Sequence, residues 1–281
     1  MCRLFGFRSV IQSQVHRSLL AADNALMIQS QRHPDGWGVA YYVGGAPHVI
    51  KSAHTAMEDQ IFKRVSGVVS SQTVLAHLRK ATVGDINLLN AHPFQFGSWV
   101  MAHNGEINNY AQVRDKLRAE IAPELRRYIL GDTDSEVLFY LFLSRLARRT
   151  DLHRKGAPIE AVVEALAETI EQTRAIADGP GQEERSKLTI IVTEGNTMVA
   201  VRSNMPLLFS TYKARCMDRD QCPFLSPECE APTITGKVNH LILSSESLQG
   251  DNTWIDMEEG EIVGVDWGMN LYRGSCAPSA A

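Results

Sequence analysis

The first residue able to do covalent chemistry is Cys2, directly after Met1. A side chain this small permits removal of the methionine, which leaves a thiol beside a free α-amine. The thiolate is the reactive form of cysteine. An α-amine with a pKa of about 8 is partly unprotonated near neutrality and can accept a proton. Nucleophile and base would then share one residue. The same position also suits an ordinary buried thiol at the start of an edge strand, so the downstream residues must decide between the two.

Three polar clusters follow, each at the end of a predicted element. In His77-Leu78-Arg79-Lys80-Ala81-Thr82, a fixed guanidinium can clamp a carboxylate through paired N–H donors, or it can form a surface ion pair. In Ala102-His103-Asn104-Gly105-Glu106-Ile107, the Asn104 amide and the Gly105 N–H can bind an oxyanion, although an Asn-Gly pair also makes a simple turn. In Asp132-Thr133-Asp134-Ser135-Glu136, Asp134 can bind an ammonium group or cap the helix that follows.

Taken in order, Cys2, the Arg-x-Ala-Thr run from Arg79 to Thr82, Ala91-His92-Pro93-Phe94, His103-Asn104-Gly105 and the acidic helix start at Asp132 resemble the class II glutamine amidotransferases. These are the N-terminal-nucleophile enzymes that begin with cysteine. The resemblance runs through spaced motifs from Cys2 to Leu146 and more loosely to Val265. It implies a four-layer αββα sandwich. It also implies attack of Cys2 on the glutamine side-chain amide, giving a γ-glutamyl thioester that water hydrolyses. Arg79 would hold the substrate α-carboxylate and Asp134 the α-ammonium, with Asn104 and Gly105 forming the oxyanion hole. Thr82 would line the glutamine pocket, and His103 belongs to the same substrate-binding set. No cofactor or metal is implied.

Synthase members of the family read Arg-Trp-Ala-Thr-His where this chain reads Arg79-Lys80-Ala81-Thr82-Val83. The segment His33-Pro34-Asp35-Gly36-Trp37-Gly38 is closer to the stand-alone branch, whose members act on γ-glutamyl amides or peptides. Three readings stay open: hydrolysis of glutamine or a γ-glutamyl amide with ammonia or amine release, delivery of ammonia to a synthase partner, and glutamine binding without turnover. The segment from Lys80 to Leu89, with Gly84 in it, is the expected gating loop.

The elements that must position these residues can be read from periodicity. A strand is expected over Cys2–Val10, a helix over Arg17–Gln31, and a hairpin from Val39–Val43 to His48–Lys51. A short helix over Glu58–Val65 and strands over Thr73–Leu78 and Ser98–His103 follow. The apolar run Val137–Leu146 continues a helix from the acidic cluster. Ile159, Val162, Val163, Leu166 and Ile170 make Pro158–Ile176 an amphipathic helix. Leu188–Thr193 and Met198–Arg202 flank a turn at Glu194-Gly195-Asn196. A strand over His240–Ser244 and two around Glu258-Glu259-Gly260 complete the pattern. Strands, then helices, then strands indicate α+β, as one domain over residues 1–281, with a Cys-bearing loop at about 203–236 and a disordered tail from about residue 274.

With 44% hydrophobic and 21% charged residues and a net charge of −4, the chain has no basic field to attract nucleic acid. It has no apolar run long enough for a membrane span and no secretory leader pattern. Five cysteines in 281 residues make no disulfide scaffold, which points to the reducing cytoplasm. Cys216, Cys222 and Cys229 are spaced more widely than zinc-binding pairs, so no metal site is expected there.

Overall fold

A strand turns successive side chains to opposite faces, and the first strand shows how this chain uses that. The computed structural model describes residues 2–15, 17–179, 184–216, 219–220, 222–223, 225–233 and 236–276. Strand β1 (Arg3–Gln14) sends Leu4 to one face and Phe5 and Phe7 to the other. Strands β2 (Trp37–Val43), β3 (Ala46–Ser52) and β4 (Ser70–Leu78) come next, then β5 (Phe94–Phe96) and β6 (Trp99–Glu106). Later come β7 (Lys187–Thr193), β8 (Met198–Val201), β9 (Leu208–Ser210) and β10 (Gly236–Lys237). The last are β11 (His240–Ser244), β12 (Ile255–Asp256), β13 (Glu261–Val265) and β14 (Asn270–Ser275).

These strands make two seven-stranded antiparallel sheets, ordered β12-β9-β11-β1-β4-β2-β3 and β10-β14-β13-β8-β7-β6-β5. The helices are α1 (Leu26–Gln29), α2 (Gln60–Val68), α3 (Tyr110–Ala119), α4 (Pro123–Arg126), α5 (Asp134–Leu146) and α6 (Ile159–Ala177).

Alternation along the strands produces three apolar layers. Leu4, Leu75 and Leu243 meet Val100, Ala102 and Ile191 between the sheets. On the outer face of the first sheet, Phe5, Val74, Ala76 and Ile242 pack with Leu26 of α1 and Phe62 of α2. On the outer face of the second, Met101, Ile190 and Val192 pack with Val113 of α3, Leu138 and Phe142 of α5 and Leu166 of α6. Helix α5 is buried along its whole length, as expected of a helix enclosed by a sheet and other helices. The architecture is the expected α+β, four-layer αββα sandwich.

Several element expectations need correction. The single helix over Arg17–Gln31 is instead a π turn at Arg17–Ala21, the four-residue α1 and a 3-10 turn at Ser30–Arg32. Its interior is broken at Asn24, whose side chain donates to the Ser247 carbonyl (2.7 Å) and accepts the Gln249 amide (2.9 Å). The strands around Glu258-Glu259-Gly260 lie in different sheets, β12 beside β9 and β13 between β8 and β14. Helix α3 and strand β14 have no counterpart in the periodicity. Gly274 and Ser275 pair with Ile262 and Glu261, so the sheet takes the start of the expected disordered tail; residues 277–281 lie outside the described residues. Parts of the Cys-bearing loop also lie outside them.

Candidate active site

Cys2 stands at the head of β1, two residues before the inward-facing Leu4, on the side of the sheet that faces its partner. The thiol donates to the Lys80 carbonyl (3.4 Å) and accepts the Lys80 amide (3.3 Å). Burial pushes the thiol pKa up, while the Lys80 hydrogen bond and the Arg79 charge pull it down. The segment is tied to the residues after β11, since Arg3 Nη2 lies 3.2 Å from Glu246 Oε2 and the Leu4 amide donates to Ser245 Oγ at 2.9 Å.

Arg79 follows β4 directly and is buried. Its backbone is exchanged with the Asp35-Gly36 turn: the Arg79 amide donates to the Gly36 carbonyl (2.8 Å) and the Asp35 amide to the Arg79 carbonyl (3.2 Å). Asp35 Oδ2 then accepts the Ala81 amide (2.9 Å). The guanidinium fork is turned into the 83–85 segment. Nη1 donates to the Asp85 carbonyl (2.8 Å), and Nη2 to the Val83 (3.0 Å) and Gly84 (3.1 Å) carbonyls. The expected gating loop is thus latched to the expected carboxylate clamp. Thr82 is exposed between them.

Strand β6 extends through Glu106, so His103, Asn104 and Gly105 are strand residues and do not form a turn. Alternation turns His103 toward α5 and Asn104 toward the inter-sheet space. His103 Nε2 donates to the Lys187 carbonyl (2.9 Å) and Nδ1 accepts from Ser135 Oγ (2.8 Å). A carbonyl can only accept, so the Nε2–H tautomer follows. Burial lowers the pKa of this ring, partly opposed by Asp134. Asn104 is buried, and neither its amide nitrogen nor its oxygen has a hydrogen-bond partner. A Cβ on Gly105 would lie 1.8 Å from the Lys187 oxygen and 2.9 Å from His103 Nε2. The space a side chain would need is therefore filled by the carbonyl that fixes His103.

Thr133 caps α5, its hydroxyl accepting the Glu136 amide at 3.2 Å. That leaves Asp134 free of the capping role. Asp134 Oδ2 accepts the Ile107 amide (2.8 Å) and Oδ1 the Ser135 amide (2.8 Å). Glu136 reaches back to the Leu130 (3.1 Å) and Gly131 (2.7 Å) amides, and burial raises its pKa.

Cys2, Arg79, Thr82, His103, Gly105 and Asp134 line one cleft enclosing about 270 Å³, including space open to solvent. Lys80, Ala81, Val83, His92, Thr133 and Ser135 complete its wall. Asn104 is absent from that wall. Sequence reasoning gave no role to Asp35, His92 or Ser135. The Pro-Asp-Gly and His-Pro-Phe runs that carry the first two were visible but had no assigned chemistry. Among the described residues no group of three His, Cys, Asp or Glu side chains is placed to hold a metal ion. None of their helices is long and apolar enough to cross a membrane.

The family profile described as Glutamine amidotransferases class-II matches residues 1–277. The chain belongs to the class II glutamine amidotransferases. The probable glutamine amidotransferase DUG3 of Saccharomyces cerevisiae is 30% identical over 226 residues, which is 72% of this chain and 63% of the yeast protein. The putative glutamine amidotransferase YafJ of Escherichia coli is 26% identical over 276 residues, covering 93% of this chain and 96% of that protein. A gamma-glutamyl-hercynylcysteine sulfoxide hydrolase of Mycobacterium tuberculosis is 36% identical over 120 residues, 38% of this chain and 50% of that protein. The solved class-II domain protein of Silicibacter pomeroyi has the same fold, with a TM-score of 0.66 and 21% identity over 99% of this chain and all of that one.

Proposed function

We propose that this class II glutamine amidotransferase hydrolyses glutamine or another γ-glutamyl amide through a thioester on Cys2. The observation that carries the proposal is the Cys2 thiol, held on the Lys80 backbone in a cleft whose wall also presents Arg79 and Asp134. A cation and an anion in one cleft match the two charges of a free amino-acid end, and the nucleophile lies within the same enclosure.

The free α-amine of processed Cys2 takes the thiol proton as sulfur attacks the amide carbon. The Gly105 N–H, on the cleft wall, stabilises the resulting oxyanion, and the adjacent Asn104 amide, unpartnered though it does not line that wall, is the proposed second donor. The C–N bond breaks as the amine returns the proton to the leaving nitrogen, and water then hydrolyses the thioester. Arg79 and Asp134 orient the γ-glutamyl group by its carboxylate and ammonium, with Thr82 and His103 on the surrounding wall.

Similarity to the mycobacterial hydrolase favours release of the amine to solvent over its delivery to a synthase partner. The purified chain should release ammonia or amine from at least one member of a γ-glutamyl panel that includes glutamine, with a γ-glutamyl mass increment on Cys2. Silence across the panel would leave a partner-dependent subunit or a non-catalytic binder.

A further inference from the structure

His92 lines the cleft with both of its ring nitrogens unpaired. The residue is 4% exposed. Most buried polar side-chain atoms are hydrogen-bonded, so an orphaned pair calls for an explanation. The ring is fixed without using its nitrogens. It lies tilted by 31° against His77 at 4.1 Å between centroids and meets Phe94 edge-on at 4.7 Å. The preceding backbone is pinned as Lys51 Nζ donates to the Ala91 carbonyl (2.8 Å). Gly38 makes room for the segment, since a Cβ there would lie 2.0 Å from the His92 oxygen.

Three other buried polar side chains of the cleft wall already have protein partners. Both nitrogens of His103 are paired, Asp134 accepts two amides and Arg79 serves three carbonyls. Burial, together with His77, His103 and the Arg79 and Lys51 charges, holds His92 neutral. It therefore carries one N–H and one lone pair that no protein group uses, on a residue that lines the cleft.

Resting on the thioester reading above, we propose that His92 holds and orients the water that hydrolyses the Cys2 γ-glutamyl thioester. The water oxygen bonds the thioester carbonyl carbon as one of its protons passes to the Cys2 α-amine. The second O–H donates to the His92 lone pair. Collapse breaks the C–S bond, the amine gives its proton to the departing thiolate, and the γ-carboxylic acid leaves. His92 is neutral throughout and acts as a positioning residue for the nucleophile of the second half-reaction.

The test uses the full chain with His92→Phe, which keeps a ring on His77 but has no lone pair, and His92→Gln, which restores an acceptor. With a substrate that the wild type turns over, the Phe variant should accumulate γ-glutamyl-Cys2 by intact mass. Its steady-state turnover should fall at least about tenfold, while single-turnover acylation stays within about threefold. Hydroxylamine, a stronger nucleophile that needs no such positioning, should restore turnover as the hydroxamate. The Gln variant should recover most of the hydrolytic rate. If the Phe variant does not fold, His92→Leu carries the same readouts. Equal slowing of both half-reactions, no thioester build-up, or a Gln variant as slow as Phe overturns the proposal. A wild type that forms no adduct removes the thioester reading and this proposal together, whereas adducts in the wild type without build-up in the variant remove this proposal alone.

Discussion

Asp134 Oδ2 accepts the Ile107 amide at 2.8 Å, which ties the first turn of α5 to the strand end two residues beyond Gly105. The proposed ammonium-binding carboxylate and the proposed oxyanion donors thus belong to one braced unit.

Asp134→Asn should damage both functions of that unit. An asparagine side chain has one acceptor oxygen where the carboxylate uses two, and it carries no charge for the ammonium. Hydrogen bonds to charged groups contribute about 1.5–3 kcal/mol, so KM for the γ-glutamyl substrate should rise roughly 10- to 100-fold. The leftover amide should lower stability by about 1–3 kcal/mol. Steady-state kinetics and a denaturant titration check both effects; an unchanged KM would remove Asp134 from the substrate site.

Arg79→Lys should release the 83–85 segment. An ammonium cannot reproduce the planar fork that reaches three carbonyls. The expected result is faster limited proteolysis within residues 83–89 together with a raised KM. Cleavage at the wild-type rate would show that the latch does not hold the loop.

Retention of Met1 should suppress activity, because a peptide nitrogen is not a base. General-base assistance is worth about 10²–10⁴ in rate, so a form with blocked processing should be at least about a hundredfold slower. Intact mass paired with turnover measures this. Full activity with Met1 in place would require a different base.

Acid should destabilise the fold through its buried histidines. Burial lowers His77 to a pKa of about 3 and His240 to about 4. Below about pH 6.5 the unfolded chain binds protons that these native rings refuse, so stability is full above that value and falls as the pH drops toward 4. Each such ring should cost about 1.4 kcal/mol per pH unit in that window. Urea midpoints from pH 7 to 4.5 should show the slope, and His77→Gln should reduce it by about one proton. An unchanged slope in that variant would place the acid sensitivity elsewhere.

Gly105→Ala should be severely destabilising, because the new Cβ would meet the Lys187 oxygen at 1.8 Å and force two paired strands apart. The expected loss is several kcal/mol, beyond the ordinary 0.5–3 kcal/mol of a point change. A variant that melts like the wild type would show that β7 can yield there.

The sequence exposed what obeys short periods. The three- and four-residue spacing of Ile159, Val162, Val163 and Leu166 places α6 within one residue of its observed ends, and the turn at Glu194 marks the β7–β8 hairpin. The order of Cys2, Arg79, Asn104 and Asp134 likewise pointed to one constellation, of which the cleft wall holds all but Asn104, beside its neighbour Gly105. Long-range contacts were not legible. Asn24 breaks a plausible helix because it clasps residues 247–249. Tyr110–Ala119 folds as a mostly polar helix that buries only Tyr110, Val113 and Leu117. The direction of the Arg79 fork is also hidden, because backbone carbonyls leave no signature in side-chain patterns.

The placement of β1 between β4 and β11 has a consequence for how the cleft opens. Amides from Phe5 to Arg8 lie in a stretch of strand paired on both sides, so their hydrogen exchange should require near-global unfolding. The facing segment, with Ile86, Leu88 and Leu89 exposed, should exchange through small local openings. The nucleophile would then stay in place while the opposite wall samples open states many times between unfolding events. Substrate entry would draw on the least protected part of the molecule and leave the most protected part undisturbed.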